Sequence, residues 1–419
     1  MAPRVTFDQF GAAAMSVTLS EADIRSACVY EYTLWRRGYP VHAPAQEHIV
    51  GSVNVMKITR VEPILIAVPY EHGGPKPMRP LGPWTHMETL LVRIETDAGL
   101  VGWGEGFGFA ASPLTREAIA RVVAPLCVGR EFIDVPSFMA DLRRKLHAMG
   151  RHGPVSFALA GIDIALWDLA GKMRGVPIHR LLGGATRDRI PTYASLLRYG
   201  KPDLVARYTA EAVAAGYTAV KLHEHLVETI APGREAAGAD IAIMVDTNCA
   251  WAPDEALEMA RKLAPYDLYW LEEPVDPVDD YETMARIRRD TGMTIAAGEN
   301  IGPAAEARHA IERGALDIFQ PSVTKIGGII AMGKAIDIAK QHGVRVMPHS
   351  PYFGPGLIAT LHVIAAWLPD ALCERFYCEL EATPLGDAIL AHDGRMHMPQ
   401  GPGLGIDVDE SVIARYRVA

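Results

Sequence analysis

No stretch of this chain is basic enough to grip nucleic acid. Its 41 Lys and Arg are set against 50 Asp and Glu, the formal charge is −9, and both signs are mixed throughout. No apolar run reaches the roughly 18 residues of a membrane span, so a membrane partner is not expected either. Cysteine is scarce. The five, Cys28, Cys127, Cys249, Cys373 and Cys378, are odd in number and show neither metal-ligand spacing nor a disulfide pattern. Cys373 and Cys378, the closest pair, read as core residues. No basic region followed by an apolar stretch opens the chain, so no secretory signal is expected and a reducing cytoplasm fits best. The glycines of "GWGEGFG" at 102–108 lack Gly-x-Gly-x-x-Gly spacing and no helix opens on them, which argues against a dinucleotide site.

What is abundant is apolar surface: 49% of 419 residues are hydrophobic, enough for a large core, and an α/β barrel alone takes about 250 residues. Residues 1–55 show no clear periodicity and read as an extension without chemistry. "MKITRVEPILIAVPY" from Met56 is the first strand. "METLLVRIETDAGLVGWGEGF" reads as a hairpin turning at "TDAG". Three helical segments follow, the last being "PVSFALAGIDIALWDLAGKMRG", which stops at Gly175. Strands first and helices after make an α+β domain.

From Ile190 short apolar strands alternate with amphipathic helices. One polar residue marks each strand end: Ser195, Lys221, Asp246, Glu272, Glu299, Ser322, His349 and Glu374, spaced 23 to 27 residues apart. That near-constant period is one βα unit repeated, and eight such strands predict a TIM-type barrel with its chemistry at the C-terminal strand ends. The tail "HDGRMHMPQGPGLGIDVDE" is expected to return to the first domain.

Asp246, Glu272 and Glu299 lie on three consecutive strand ends. Converging carboxylates repel unless a cation sits among them, and oxygen-only ligation favours a hard ion, Mg²⁺ before Ca²⁺ or Mn²⁺. Glu273 is the rival to Glu272, but strand alternation points it to the other side. Lys221 and His223, two apart at a strand end, face one way on one flank. His349 stands across the barrel and Glu374 on the eighth strand. A metal with proton carriers on two sides matches removal of a proton next to a carboxylate.

Here the residues reach a family. "GWGEG" (102–106), "GIDIALWDLAGK" (161–172), "VKLH" (220–223), "VDTN" (245–248), "WLEEP" (270–274), "GEN" (298–300), "KIGG" (325–328) and "PHS" (348–350) occur in order. The set resembles the enolase superfamily, in its mandelate racemase-like subgroup. The resemblance implies a modified (β/α)₇β barrel over 188–375 and an α+β capping domain formed from both chain ends, 56–187 completed by 376–419. It implies Mg²⁺-assisted enolisation, with Asp246, Glu272 and Glu299 as metal ligands. Lys221 matches the first lysine of a Lys-x-Lys pair, Glu374 a group that bonds the substrate carboxylate, and Lys325 a framework residue. Two positions depart from the pattern: the second lysine is His223, and the aspartate that orients the strand-seven histidine is Ser322. On that basis His349 is expected to lack its carboxylate partner and to be a weaker base, suited to act as an acid. Lys221, beside His223 and buried, is expected to have a lowered pKa.

The expected function is Mg²⁺-dependent removal of the α-proton of a hydroxylated carboxylate, a sugar acid, with loss of the β-hydroxyl. Lys221 and His223 form the base side and His349 the acid. A racemase, epimerase or cycloisomerase is the alternative; a Schiff-base aldolase on Lys221 and a non-catalytic barrel are the readings from other classes. The partner is a small-molecule carboxylate, and the protein is expected to form a homo-oligomer. Residues 70–86, with His72, Lys76, Arg79, Trp84 and His86, form the expected specificity loop and lid over the barrel mouth.

Overall fold

The computed structural model describes residues 55–79, 82–184 and 187–418. The extension expected over 1–55 lies outside them apart from Val55, as do Pro80 and Leu81 of the specificity loop. Strands β1 (Met56–Glu71), β2 (His86–Thr96) and β3 (Val101–Gly106) form an antiparallel sheet. The turn from β2 to β3 is the predicted Thr-Asp-Ala-Gly, with the Gly99 N–H donating to the Thr96 carbonyl at 3.1 Å. Helix α1 (Val135–Lys145) opens on Asp134, whose carboxylate accepts from the Ser137 N–H. Helix α2 (Pro154–Arg174) stops at Gly175, which takes the left-handed conformation at φ +66°.

The sequence reading had no run long enough to span a membrane, but α2, at 21 residues, is long and apolar enough to do so. It is a core helix instead: 83% of its apolar window is buried inside the protein. It packs on β3, and the two backbones meet at the glycines of "GWGEG". A Cβ added to Gly104 would lie 2.0 Å from the Gly161 carbonyl oxygen. The glycine cluster therefore serves strand–helix contact, not phosphate binding.

The second part of the chain alternates as its period predicts. Eight parallel strands, β4 (Arg189–Leu196), β5 (Ala219–Leu222), β6 (Ala242–Asp246), β7 (Leu268–Glu272), β8 (Ile295–Ala297), β9 (Ile318–Phe319), β10 (Arg345–Val346) and β11 (Cys373–Phe376), are separated by helices. The helices are α3 (Pro202–Ala214), α4 (Val227–Ala237), α5 (Pro253–Leu263), α6 (Tyr281–Thr291), α7 (Ala304–Glu312), α8 (Ile329–Gln341) and α9 (Pro355–Trp367). The sheet runs β10–β9–β8–β7–β6–β5–β4–β11. Its strands are almost entirely buried, as parallel strands covered on both faces must be. Between the end strands β10 and β11 no backbone ladder forms among the described residues. Side chains cross that seam: the Ser350 N–H donates to Glu374 Oε2 and the Glu374 N–H to Ser350 Oγ, both at 3.1 Å.

The tail divides between the two parts of the chain. The hairpin Ala391–His392/Arg395–His397 does not join the first sheet; it pairs antiparallel with the start of β4, Arg395 opposite Pro191. The reason is local. Met396 is fully buried between exposed Arg395 and His397, and the Gly394 carbonyl accepts from the Thr192 N–H at 2.9 Å. Other parts of the tail do reach the first domain: Leu380 pairs with Tyr70, and the Val418 N–H donates to the Leu65 carbonyl at 2.8 Å.

Candidate active site

Strand register brings the carboxylates together. Asp246 and Glu272 are the last residues of β6 and β7 and are direct partners across the ladder. Glu299 follows β8 after Gly298 (φ +142°). Each of the three offers a carboxylate oxygen, and these oxygens lie within 4.8 Å of one another. Two unit charges about 4 Å apart repel by about 4 kcal/mol at the effective dielectric of a protein surface. Such a cluster persists only beside positive charge. The donor set is all oxygen and therefore fits a hard divalent cation.

Lys221 supplies one cation from β5. Its Nζ, fully buried, lies 3.1 Å from Asp246 Oδ2, 3.0 Å from Glu272 Oε1 and 2.8 Å from Glu374 Oε1. Burial alone would depress its pKa, but Glu272 and Glu374 outweigh it and hold the ammonium well above the ordinary lysine value. The expectation of a lowered pKa is thus reversed. It counted the neighbouring His223 as a like charge and could not see three carboxylates converging on one amine.

His223, just past β5, does share that flank. Its Nε2 is 3.3 Å from Asp246 Oδ2, and its Nδ1 is 2.6 Å from the Leu196 carbonyl. A carbonyl only accepts, so Nδ1 carries a proton, and Nε2 faces the Asp246 carboxylate. Burial opposes ionisation of Asp246, but Lys221 and His223 prevail and hold its carboxyl below the usual range. Glu272 goes the other way, raised by burial and by repulsion from Asp246.

On the opposite side His349 is not without a carboxylate. Its Nε2 lies 2.7 Å from Glu299 Oε2. Ser322 pairs with His349 through a lone parallel bridge, yet the Ser322 hydroxyl bonds to the Tyr352 hydroxyl, which in turn is 3.5 Å from His349 Nδ1. Tyr352 therefore stands between His349 Nδ1 and Ser322, the residue at the position of the family's orienting aspartate. Glu374 accepts from Ser195 Oγ at 2.8 Å as well as from Lys221, so it is fixed within the barrel wall. Lys325 reaches Glu299 Oε1 at 3.3 Å and Asn300 Oδ1 at 2.8 Å.

Several supporting residues were not singled out from sequence. The Trp270 indole donates to Glu272 Oε2 at 2.9 Å, and the Asn248 backbone and side-chain N–H groups both reach Asp246 Oδ1 at 2.9 Å. Glu273 is held at φ +40° and accepts from Asn300 at 2.7 Å. Burial is the main force raising its pKa, to about 8. The acids of the two longest motifs fasten the first domain to the second. Glu105 accepts from the Gly356 N–H at 2.7 Å, at the start of α9, and Asp163 accepts from the Ile329 N–H at 2.6 Å, at the start of α8. Asp168 accepts from Trp103 and Leu404, each at 2.8 Å. Each carboxyl group accepts from backbone donors, two of them at helix N-termini, and burial raises the pKa of Glu105 and of Asp163 to about 7.

Known proteins resemble this chain in sequence and fold. Residues 204–412 match the family described as Enolase C-terminal domain-like, and residues 78–183 match the Mandelate racemase / muconate lactonizing enzyme, N-terminal domain. The fold is thus the α/β fold of the enolase superfamily, with a TIM-barrel domain. The chain is 32% identical over 348 residues to the D-galactarolactone cycloisomerase of Agrobacterium fabrum, covering 78% of this chain and 91% of that protein. It is 33% identical over 356 residues to the D-galactonate dehydratase of Ralstonia nicotianae, covering 79% and 91%. A mandelate racemase/muconate lactonizing protein from Paracoccus denitrificans, solved in complex with magnesium, superposes with a TM-score of 0.77 at 30% identity. That match covers 87% of this chain and 98% of the other. The chain belongs to the mandelate racemase / muconate lactonizing enzyme family.

Proposed function

We propose that this protein is an acid-sugar dehydratase. One observation carries the reading: three carboxylates, Asp246, Glu272 and Glu299, gather between an imidazole on one side and a second imidazole on the other. We assign them as the ligands of Mg²⁺ in a (β/α)₇β barrel capped by residues of both chain ends. Bound there, the ion supplies positive charge for the substrate carboxylate and for the enediolate formed from it. His223 Nε2 takes the α-proton, and the C–H electron pair moves onto the carboxylate. Lys221 holds its ammonium beside that developing charge. The enediolate then collapses, the β carbon–oxygen bond breaks, and His349 hands its proton to the departing hydroxyl, which leaves as water. The enol that remains tautomerises to a 2-keto acid.

A second reading is favoured by the likeness to a cycloisomerase: the same α-proton is removed, but an intramolecular oxygen is displaced and no water is lost. Incubation with acid sugars in deuterium oxide tests both. Deuterium should enter the α-carbon, a chelator should abolish this, and Mg²⁺ should restore it. A product lighter by one water marks dehydration, and an isobaric product marks cycloisomerisation. Unaltered exchange and Mg²⁺ affinity in Asp246→Asn, Glu272→Gln and Glu299→Gln would end the assignment.

A further inference from the structure

The end of β1 and the cap loop that follows it carry polar groups that no described residue satisfies. The Arg79 guanidinium is sandwiched, its Cζ 4.0 Å from the centre of the Trp84 ring and 3.8 Å from that of Phe109. With both faces covered, its donors can act only in the guanidinium plane. Its Nε is buried without an acceptor, and among the described residues no carboxylate lies within ion-pair distance of it. Glu88 draws on it from further off, but Glu88 Oε2 accepts from Ser112 at 2.6 Å. The Tyr70 hydroxyl, on a side chain 1% exposed and packed against the same indole, is likewise without a partner. The Trp84 ring continues toward the catalytic side chains. It meets Phe376 at 5.9 Å between centres, and Phe376 meets His223 at 6.1 Å.

A half-buried guanidinium whose Nε finds no acceptor is costly unless its function supplies one. An Arg held flat by aromatic stacking is preorganised for a bidentate carboxylate. We propose that Arg79, with the Tyr70 hydroxyl, binds a second, distal carboxylate, so that the preferred substrates are aldaric acids, hydroxylated at every inner carbon and carboxylated at both ends. This rests on the acid-sugar reading above. The first carboxylate sits at Asp246, Glu272 and Glu299. The carbon chain lies along Phe376 and Trp84, and the far carboxylate ends at Arg79.

The test compares kcat/KM for a six-carbon aldaric acid and the corresponding aldonic acid, with solvent deuterium exchange measured on both. The intact enzyme should prefer the dianion. Arg79→Met, which keeps an apolar filling between Trp84 and Phe109, should lower the aldarate-to-aldonate ratio by about ten- to a hundredfold, the value of a charge-assisted hydrogen-bond pair. Arg79→Lys should recover part of it. Equal or better use of the aldonate by the intact enzyme overturns the proposal, whether or not the variants fold. So does an unchanged ratio in a folded Arg79→Met. Turnover of aldonates without dianion preference sinks this inference alone; absence of exchange with every acid sugar sinks the dehydratase reading with it.

Discussion

Replacing Lys221 by Met removes the one fully buried ammonium among Asp246, Glu272 and Glu374. At an effective dielectric of about 20, each contact near 3 Å is worth about 5 kcal/mol of Coulomb energy before desolvation. Three such terms would exceed the whole stability of most domains, so the sum is not what is lost. The carboxylates have an escape, since they can take up protons. Glu272 does so first, because burial and Asp246 already raise its pKa. The expected cost at pH 8 is therefore about 3–5 kcal/mol, the usual range for breaking a buried pair. The pH dependence has a definite sign. Lys221 is raised above its unfolded value, so its contribution is fully present below about pH 10.5 and is lost only as pH climbs through the folded value. In the variant the orphaned carboxylates have raised folded pKa values, so its deficit grows from pH 5 to pH 8. Mg²⁺ should remove part of the deficit by binding the folded state. Denaturant unfolding followed by tryptophan fluorescence, in chelator and in Mg²⁺ at both pH values, measures all of this. A loss under about 1 kcal/mol in chelator at pH 8, or one indifferent to both pH and Mg²⁺, would refute the reasoning.

His349→Asn should reduce loss of the hydroxyl by about 10²–10⁴-fold while leaving measurable α-deuterium exchange, and loss of exchange in the same proportion would make His349 the base. His223→Gly should lose exchange and regain part of it in added imidazole, because His223 is 12% exposed and can be replaced from solution; exchange that survives without rescue places the base elsewhere. His362, buried where its Nε2 meets the Leu404 carbonyl at 3.1 Å, is pushed down by burial to about 3. Its folded value lies below the unfolded one, so stability is full above about pH 6.5 and falls as pH drops, by about 2 kcal/mol between pH 7 and pH 5. His362→Gln should flatten that slope in urea titrations, and an unchanged slope would rule the residue out as its cause.

The βα period was legible because each strand ends in a polar residue after an apolar run, and the two periodicities are local. The three carboxylates were legible for the same reason, since equal spacing means equal height in the barrel. What could not be read was anything depending on which distant backbone group a side chain meets. Glu105 and the Gly356 N–H are 251 residues apart, and His179 and His362, whose Nδ1 atoms lie 3.1 Å apart, are 183 apart. No pattern in either segment encodes the other. The hairpin within the tail was hidden for a related reason. Turn residues announced a hairpin, but Met396, the only buried residue of its strand, decided which sheet received it.

The reversal at Lys221 changes how the two sides of the site divide the work. A lysine lowered by its neighbours would be a base; one held charged by Glu272 and Glu374 is a fixed cation, and fixed cations stabilise charge without moving protons. On the proposed assignment the proton carrier on that flank is the residue where the family pattern has a lysine and this chain has His223. The Leu196 carbonyl holds its Nδ1–H and turns its Nε2 toward the site. The other flank is built differently. His349 Nε2 lies 2.7 Å from Glu299 Oε2, on the far side of the carboxylates. On the proposed assignment, a proton acceptor on one side and a proton donor on the other is the pairing that elimination uses. A racemase needs two acceptors of similar strength, one for each face.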